Sequence, residues 1–271
     1  MWILGFLLPH APILVPQIAS ISGVNCGRTF SSLCAIRTSL KETRPDFLLL
    51  LDPHARTGYS LTVIHAEKFR GSLAGFGAKT VIAAAGGAGE EGKALSLHIN
   101  SLFPVSDRSE EIFSLEYSAV VSLVLLELAL GYIPPMVLIN PLTLSYSQAF
   151  DLGRHLRGFS SEKKWALLAS GDLSHCLKKG APGGYHPDGE ILDRAIIESL
   201  EKSSPDLVFA LSPETVLNAG ECGMRSALCL IGLSGGEGIE VLSYEAPFGV
   251  GYATALWKAG HSEGEFDKEM L

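Results

Sequence analysis

Hydrophobic residues along this chain form short continuous runs that alternate with stretches of helical spacing. Continuous apolar runs of this length are typical of strands buried on both faces of a sheet. Four such runs are Trp2–Leu8, Phe47–Leu51, Met136–Asn140 and Trp165–Ser170. The pattern predicts further strands at Leu61–His65, Thr80–Ala84, Glu240–Tyr244 and Gly249–Trp257, the last two joined across residues 246–248.

Between these runs, apolar residues recur at intervals that place them on one side of a helix. In one such segment Phe30, Leu33, Cys34 and Leu40 fall on the same side. The predicted helices are Arg28–Thr43, Glu90–Phe103, Gln148–Arg157, Asp188–Lys202 and Glu221–Leu233. Two segments are less regular: Ser118–Leu130 is apolar throughout and fits a buried helix or a long strand, and the glycine-rich Ala83–Gly92 fits a loop.

Strands that alternate with helices predict a mostly parallel or mixed sheet covered on both faces. We find no internal repeat and no Pro/Ser-rich linker that would divide the chain. We therefore expect a single three-layer α/β/α domain over residues 1–257, followed by a polar, acidic tail over residues 258–271.

Composition narrows the class of protein. Apolar residues make up 47% of the 271 residues and charged residues only 18%, which implies a large interior. The net charge of −8 argues against a nucleic-acid or anionic-membrane partner. Ser118–Leu130 is shorter than the roughly 20 residues of a membrane span. Five cysteines without a CxxC pair disfavour a disulfide framework and favour a reduced, cytoplasmic setting.

Four polar groups follow predicted strands at the points where those strands end. They are His10, His54, His175 and Glu245. Ligands of open α/β sheets bind at the C-terminal ends of the strands, so these groups are candidates for one site. Two histidines and one carboxylate form the facial triad that holds non-haem Fe(II), and the same set binds Zn(II). The alternative is that each histidine only hydrogen-bonds a carbonyl of its own loop.

Other histidines and cysteines give weaker signals. His186 lies in a Gly-rich loop that could act as a lid over a site. Cys222 is either a reactive thiol at a helix N-terminus, where its pKa would fall, or a buried small residue. The remaining histidines are expected to be structural: His65, His98, His155 and His261.

Several blocks of the sequence together resemble the LigB-type class III extradiol ring-cleavage dioxygenase superfamily. The blocks are Gly5–Pro16, Asp52–His54, Ser170–His175, Ala219–Ser226 and Ser243–Tyr252. Within the superfamily they look most like the AmmeMemoRadiSam branch, which is related to Memo. The resemblance spans residues 1 to about 257.

The resemblance implies a metal held by His10, His54 and Glu245, with Fe(II) expected and Zn(II) as the alternative. It implies that His175 assists proton transfer near the substrate hydroxyl. The implied substrates are O₂ and a small phenolic or catecholic molecule. Replacing Glu245 should then weaken metal binding far more than replacing His175.

Tyr117 departs from the family pattern, because family members usually carry a histidine in the turn before the mid-chain helix. A tyrosine, with a pKa near 10, is a poor base at neutral pH. Two functions therefore stay open: an extradiol-dioxygenase-like oxidoreductase, and a Memo-like metalloprotein without dioxygenase activity that works beside a radical-SAM protein. Assembly into a homo-oligomer also stays open.

Overall fold

Four parallel strands form the centre of one sheet in the computed structural model, which describes residues 1–22 and 26–260. The central strands are β1 (Trp2–Leu8), β2 (Phe47–Leu51), β6 (Met136–Ile139) and β7 (Trp165–Ser170). The outer strands are β3 (Thr62–Leu73), β4 (Ala78–Gly86), β5 (Ser106–Ser114), β8 (Ile239–Glu245) and β9 (Tyr252–Lys258).

The strand order is β4-β3-β6-β2-β7-β1-β9-β8, with β5 paired to β3. Pairing is parallel across β6, β2, β7 and β1, and antiparallel where β3 joins β6 and where β9 joins β1. The sheet is therefore mixed with a parallel centre, as the alternation of strands and helices predicted.

Helices cover both faces of the sheet, which confirms the three-layer α/β/α architecture. The α-helices are α1 (Pro16–Ser22), α2 (Gly27–Thr43), α3 (Gly89–Asn100), α4 (Tyr117–Leu130), α5 (Tyr146–Arg157), α6 (Asp188–Glu201), α7 (Asp206–Phe209), α8 (Pro213–Ala219) and α9 (Met224–Ser234). Residues of α2 and α4 belong to one hydrophobic core, and residues of α3, α5, α6 and α9 belong to the other. Successive side chains of a central strand point to opposite faces of the sheet and so contribute to both cores. In β2, Leu48 and Leu50 belong to the first core, and Leu49 and Leu51 belong to the second.

Helices α5 and α9 pack with their backbones in close contact, because glycines face each other across the interface. A Cβ atom on Gly153 would lie 2.0 Å from the carbonyl oxygen of Cys229. One on Gly232 would lie 2.1 Å from the carbonyl oxygen of Phe150. These glycines allow an approach that any side chain would prevent.

The structure resolves or corrects several expectations from sequence. The segment that fits a helix or a strand is the helix α4, buried along nearly its whole length. The prediction of a loop over Ala83–Gly92 was wrong for its first part, because residues 83–86 complete β4, with Ala83 and Ala85 buried. Cys34 is exposed, so it does not belong to the buried side of α2. That buried side is formed by Thr29, Ser32, Ile36, Ser39 and Leu40.

The charged strand β5 was missed. Its sequence has few apolar residues, and most of its side chains are exposed. Among the strands of residues 1–22 and 26–260, β5 pairs with β3 alone, and charged side chains are common on such edge strands. His261 and most of the predicted acidic tail lie outside the described residues. Within residues 1–22 and 26–260, we find no helix with the length and apolar character needed to cross a membrane.

Candidate metal centre

The strand ends that carry the predicted site residues lie along one edge of the sheet, the one formed by the C-terminal ends of its parallel strands. β1, β2 and β7 are parallel, so the loops bearing His10, His54 and His175 leave the same edge. β8 runs in the direction of β1, because both pair antiparallel with β9. Glu245 therefore also ends its strand at this edge, although β9 separates β8 from β1.

Three potential metal donors converge at this edge. One donor atom from each of His10, His54 and Cys222 lies within 4.8 Å of the others, the only such group in the part of the chain that the structure describes. The Cys222 Sγ atom is 3.4 Å from the His10 Nε2 atom and 3.9 Å from the His175 Nε2 atom. The structure thus brings the predicted residues His10 and His54 together with Cys222. His175 lies next to Cys222 but is not one of the three grouped donors.

His10 is fixed in an orientation that leaves one ring nitrogen facing Cys222. The side chain is only 1% exposed, and its Nδ1 atom is 2.9 Å from the Ser170 hydroxyl, which in turn is 2.9 Å from the Ser122 hydroxyl. If Nδ1 donates to Ser170, the Nε2 atom carries the free lone pair. Burial, together with the charges of His54 and His175, lowers the pKa of His10 well below its usual value, so the ring is neutral.

His54 carries a buried polar atom that lacks a partner. Its Nε2 atom is shielded from solvent and has no hydrogen bond. Burial lowers the pKa of His54, which favours the neutral ring that binds metals. Buried polar atoms are almost always satisfied, so an imidazole nitrogen without a hydrogen-bond partner beside two other donors has the surroundings of a metal ligand.

Cys222 is held by the loop that follows β7. Its backbone N–H donates to the Asp172 carbonyl oxygen at 3.4 Å, and its side chain is buried. Burial, and then the nearby Asp172 carboxyl, raise the pKa of the Cys222 thiol well above its usual value. The lowered pKa expected of a reactive thiol is therefore wrong for this residue. A bound cation would reverse this preference, because a thiol loses its proton when it binds a metal.

Glu245 has partners away from the three donors. Its Oε1 atom accepts hydrogen bonds from the backbone N–H of Thr29 at 2.8 Å and from the Thr29 hydroxyl at 2.7 Å. Thr29 lies in the first turn of α2, where backbone N–H groups lack helical partners. In this arrangement the carboxylate caps a helix.

Two buried carboxyls next to the three donors were not recognised from the sequence. The Asp52 Oδ1 atom accepts from the Ser118 hydroxyl at 2.6 Å, while its Oδ2 atom is buried without a partner. The Asp172 Oδ1 atom accepts from the His10 backbone N–H at 2.9 Å. Burial raises the pKa of Asp52 to about 6 and that of Asp172 to about 7. Their positions in the sequence could have identified them, because each lies within two residues of the end of a central strand.

Tyr117 stands at the site, where its ring centroid is 5.5 Å from that of His54 and 6.1 Å from that of His10. Burial, followed by the charges of Cys222 and nearby carboxyls, raises the pKa of Tyr117 to about 12. The phenol is therefore protonated at neutral pH, so it can donate a hydrogen bond but cannot act as a base.

The other histidines of the described chain make contacts within their own surroundings. The His186 Nδ1 atom accepts from the Asp188 backbone N–H at 3.2 Å, so the ring is tied to the start of α6. The rings of His98 and His155 stack at 4.1 Å, and His65 contacts Asp107. Within the part of the chain that the structure describes, His186 makes no hydrogen bond to the three donors, so its role as a lid stays a prediction.

Comparisons with known proteins agree with this fold. The family model described as the catalytic LigB subunit of aromatic ring-opening dioxygenase matches residues 4–255. Protein CA_C1420 of Clostridium acetobutylicum is 27% identical over 98% of this chain, which spans 59% of that protein's length. The crystal structure of the uncharacterized protein JW3007 from Escherichia coli K12 superposes with a TM-score of 0.67. It is 17% identical, covering 94% of this chain and 99% of that one, and shows the fold alone.

Proposed function

The chain belongs to the LigB family of catalytic subunits of aromatic ring-opening dioxygenases, and from that premise we propose that it is a metal-dependent oxidoreductase of the extradiol type. Its proposed substrates are O₂ and a small phenolic or catecholic molecule. The observation that carries this proposal is the unpartnered, buried His54 Nε2 atom beside the donors of His10 and Cys222.

The residues present fit a transition metal. Two neutral imidazoles and a thiol are ligands for iron or zinc rather than for Mg²⁺ or Ca²⁺, which prefer oxygen. We assign His10, His54 and Cys222 as the ligands, with Cys222 in the place that the resemblance gave to Glu245. We propose Fe(II) as the native metal, because such a redox-active ion supplies the chemistry by which O₂ and a catecholate react.

The side chains around the proposed metal ligands would bind and transfer protons. Burial lowers the pKa of His175, so its ring is neutral and can accept a proton from a substrate hydroxyl at Nε2. Asp172, with its pKa raised to about 7, can hold or release a proton near neutral pH. Tyr117 can donate a hydrogen bond to substrate but keeps its own proton. His175 is therefore the base we propose.

The direct test is metal analysis of protein purified without air, followed by O₂ uptake with a panel of catechols after loading with Fe(II). Iron at one equivalent per chain and catechol-dependent O₂ uptake would support the proposal. Stoichiometric iron with no O₂ uptake across the panel would contradict it. His54→Ala, which removes the orphaned nitrogen, is the matched control and should lose both metal and uptake.

A second function is favoured by two specific residues. Cys222 supplies sulfur where a carboxylate was expected, and Tyr117 supplies a phenol where the family pattern has a histidine. Both changes fit a Memo-like metalloprotein that does not open rings and works beside a radical-SAM protein. Zinc in the purified protein, with a radical-SAM protein co-purifying, would favour this function over the first.

A further inference from the structure

A row of aromatic rings leads from the protein surface to the proposed metal donors. The Phe76 ring centroid lies 5.2 Å from that of Tyr117, which lies 5.5 Å from that of His54. The His54 ring meets the His10 ring edge-on at 4.9 Å. Phe76 is 46% exposed, so the row begins in solvent and ends at buried His10.

The β3–β4 hairpin presents Phe76 at its tip. Phe76 lies between Gly75 and Gly77, and a Cβ atom on either glycine would meet no other atom within 4 Å. Gly77 has a φ of +80°, a conformation that permits the reversal of the chain. Open space beside both glycines, together with the 46% exposure of Phe76, leaves the Phe76 ring accessible to a ligand ring.

A comparison within the chain shows why Phe76 is not an ordinary exposed aromatic residue. Phe209 of α7 is exposed to a similar extent, 44%, and packs edge-on against Phe150 at 6.0 Å. Single exposed apolar side chains are common and need no function. Phe76 differs because its ring partner, Tyr117, also contacts the rings of two proposed metal ligands.

We propose that Phe76 and Tyr117 form an aromatic wall that binds the ring of a small planar aromatic ligand at the mouth of the site. Aromatic rings pack against each other in offset or edge-to-face geometry, which a saturated ring of the same size cannot reproduce. The ligand's hydroxyl end would then point along the row toward His54. This inference rests on the proposed function, since it assigns the residues that select its substrate class.

The test measures binding rather than turnover. Phenol is the probe, because its single hydroxyl cannot chelate a metal, and cyclohexanol is the non-aromatic control. Saturation-transfer NMR titrations use the full chain as purified, with metal content matched between variants. Phe76→Ala should weaken phenol binding about 3- to 10-fold and leave cyclohexanol binding nearly unchanged. Phe76→Tyr should restore phenol binding, and Phe209→Ala should have no effect.

Two results would overturn the aromatic wall. One is phenol binding by Phe76→Ala that equals that of the unmodified protein. The other is an equal loss of affinity for phenol and cyclohexanol at matched metal content, which would show that the Phe76 ring does not select aromatic ligands. Neither depends on catalysis, so a failure of O₂ uptake would count against the proposed function while phenol selectivity would still decide this inference.

Discussion

The Glu245 carboxylate and Thr29 form a paired contact at the first turn of α2: one oxygen accepts both the backbone N–H and the hydroxyl of Thr29. A carboxylate at this position stabilises a helix through its unpaired N–H groups and its dipole. Cys222, from the loop before α9, instead faces His10. The two residues therefore have separable roles that mutation can distinguish.

Cys222→Ala should weaken metal binding at least about 100-fold, because it removes one of three proposed ligands; replacing a mere supporting residue costs about 10- to 100-fold. Glu245→Gln should bind metal normally. Glu245→Ala should lower the free energy of unfolding by about 1–2 kcal/mol through the lost helix cap. Metal titration and chemical denaturation measure the two effects. Greater metal loss in Glu245→Gln than in Cys222→Ala would restore Glu245 as the ligand.

These contacts show which parts of the site could be predicted from sequence. His10 and His54 lie two and three residues beyond the ends of parallel central strands, so the fold class alone places them at one edge. Glu245 ends a strand in the same direction, but β9 lies between β8 and β1, and the side chain reaches α2. Strand order is set by long-range pairing, which local sequence patterns do not reveal.

The place of Cys222 among the metal donors could not be predicted from the sequence. It follows no strand, and its position depends on the hydrogen bond from its backbone N–H to the Asp172 carbonyl oxygen, 50 residues away in sequence. The fold itself was predictable because the central strands are continuous apolar runs and several of the helices between them are amphipathic. The polar strand β5 has no such run, since its pairing with β3 rests on backbone hydrogen bonds rather than on buried side chains.

Ser170→Ala should reduce metal affinity about 10- to 100-fold while leaving all three proposed ligands in place. The Ser170 hydroxyl is the partner of His10 Nδ1, so its loss frees the imidazole to rotate or change tautomer. Ser122→Ala is the matched control, because Ser122 contacts Ser170 but not His10. Competition titrations with a chromophoric chelator measure both variants. Equal affinities for the two would show that the Ser170 contact does not orient the ligand.

Tyr117→Phe should leave the pH profile of O₂ uptake by the iron-loaded protein unchanged between about pH 6 and 9. The phenol has a pKa of about 12, so its ionisation lies far outside this range. His175→Gln should lower the rate and flatten the profile, because it removes the proposed base without removing a ligand. A shift of the profile in Tyr117→Phe would mean that this phenol ionises during the reaction. Tyr117→His, which supplies a base at this position, should increase uptake.

Asp193 of α6 should make stability fall as the pH rises. Its carboxyl is buried, accepting from the Ser174 backbone N–H and the Tyr244 hydroxyl, each at 2.7 Å. Burial raises its pKa from 3.8 to about 7 despite these two hydrogen bonds. The folded protein therefore holds a proton that the unfolded chain has already released, and this contribution is lost as the pH rises from about 4 to about 7.

Asp193→Asn isolates this effect, because the amide keeps the volume of the side chain and cannot ionise. The free energy of unfolding of the variant minus that of the unmodified protein should rise by a few kcal/mol from about pH 4 to about pH 7, then stay constant. Urea denaturation at a series of pH values measures this difference and cancels the titration of Asp52, Asp172 and the other shared groups. A difference that does not change with pH would show that Asp193 is already ionised in the folded protein at pH 4.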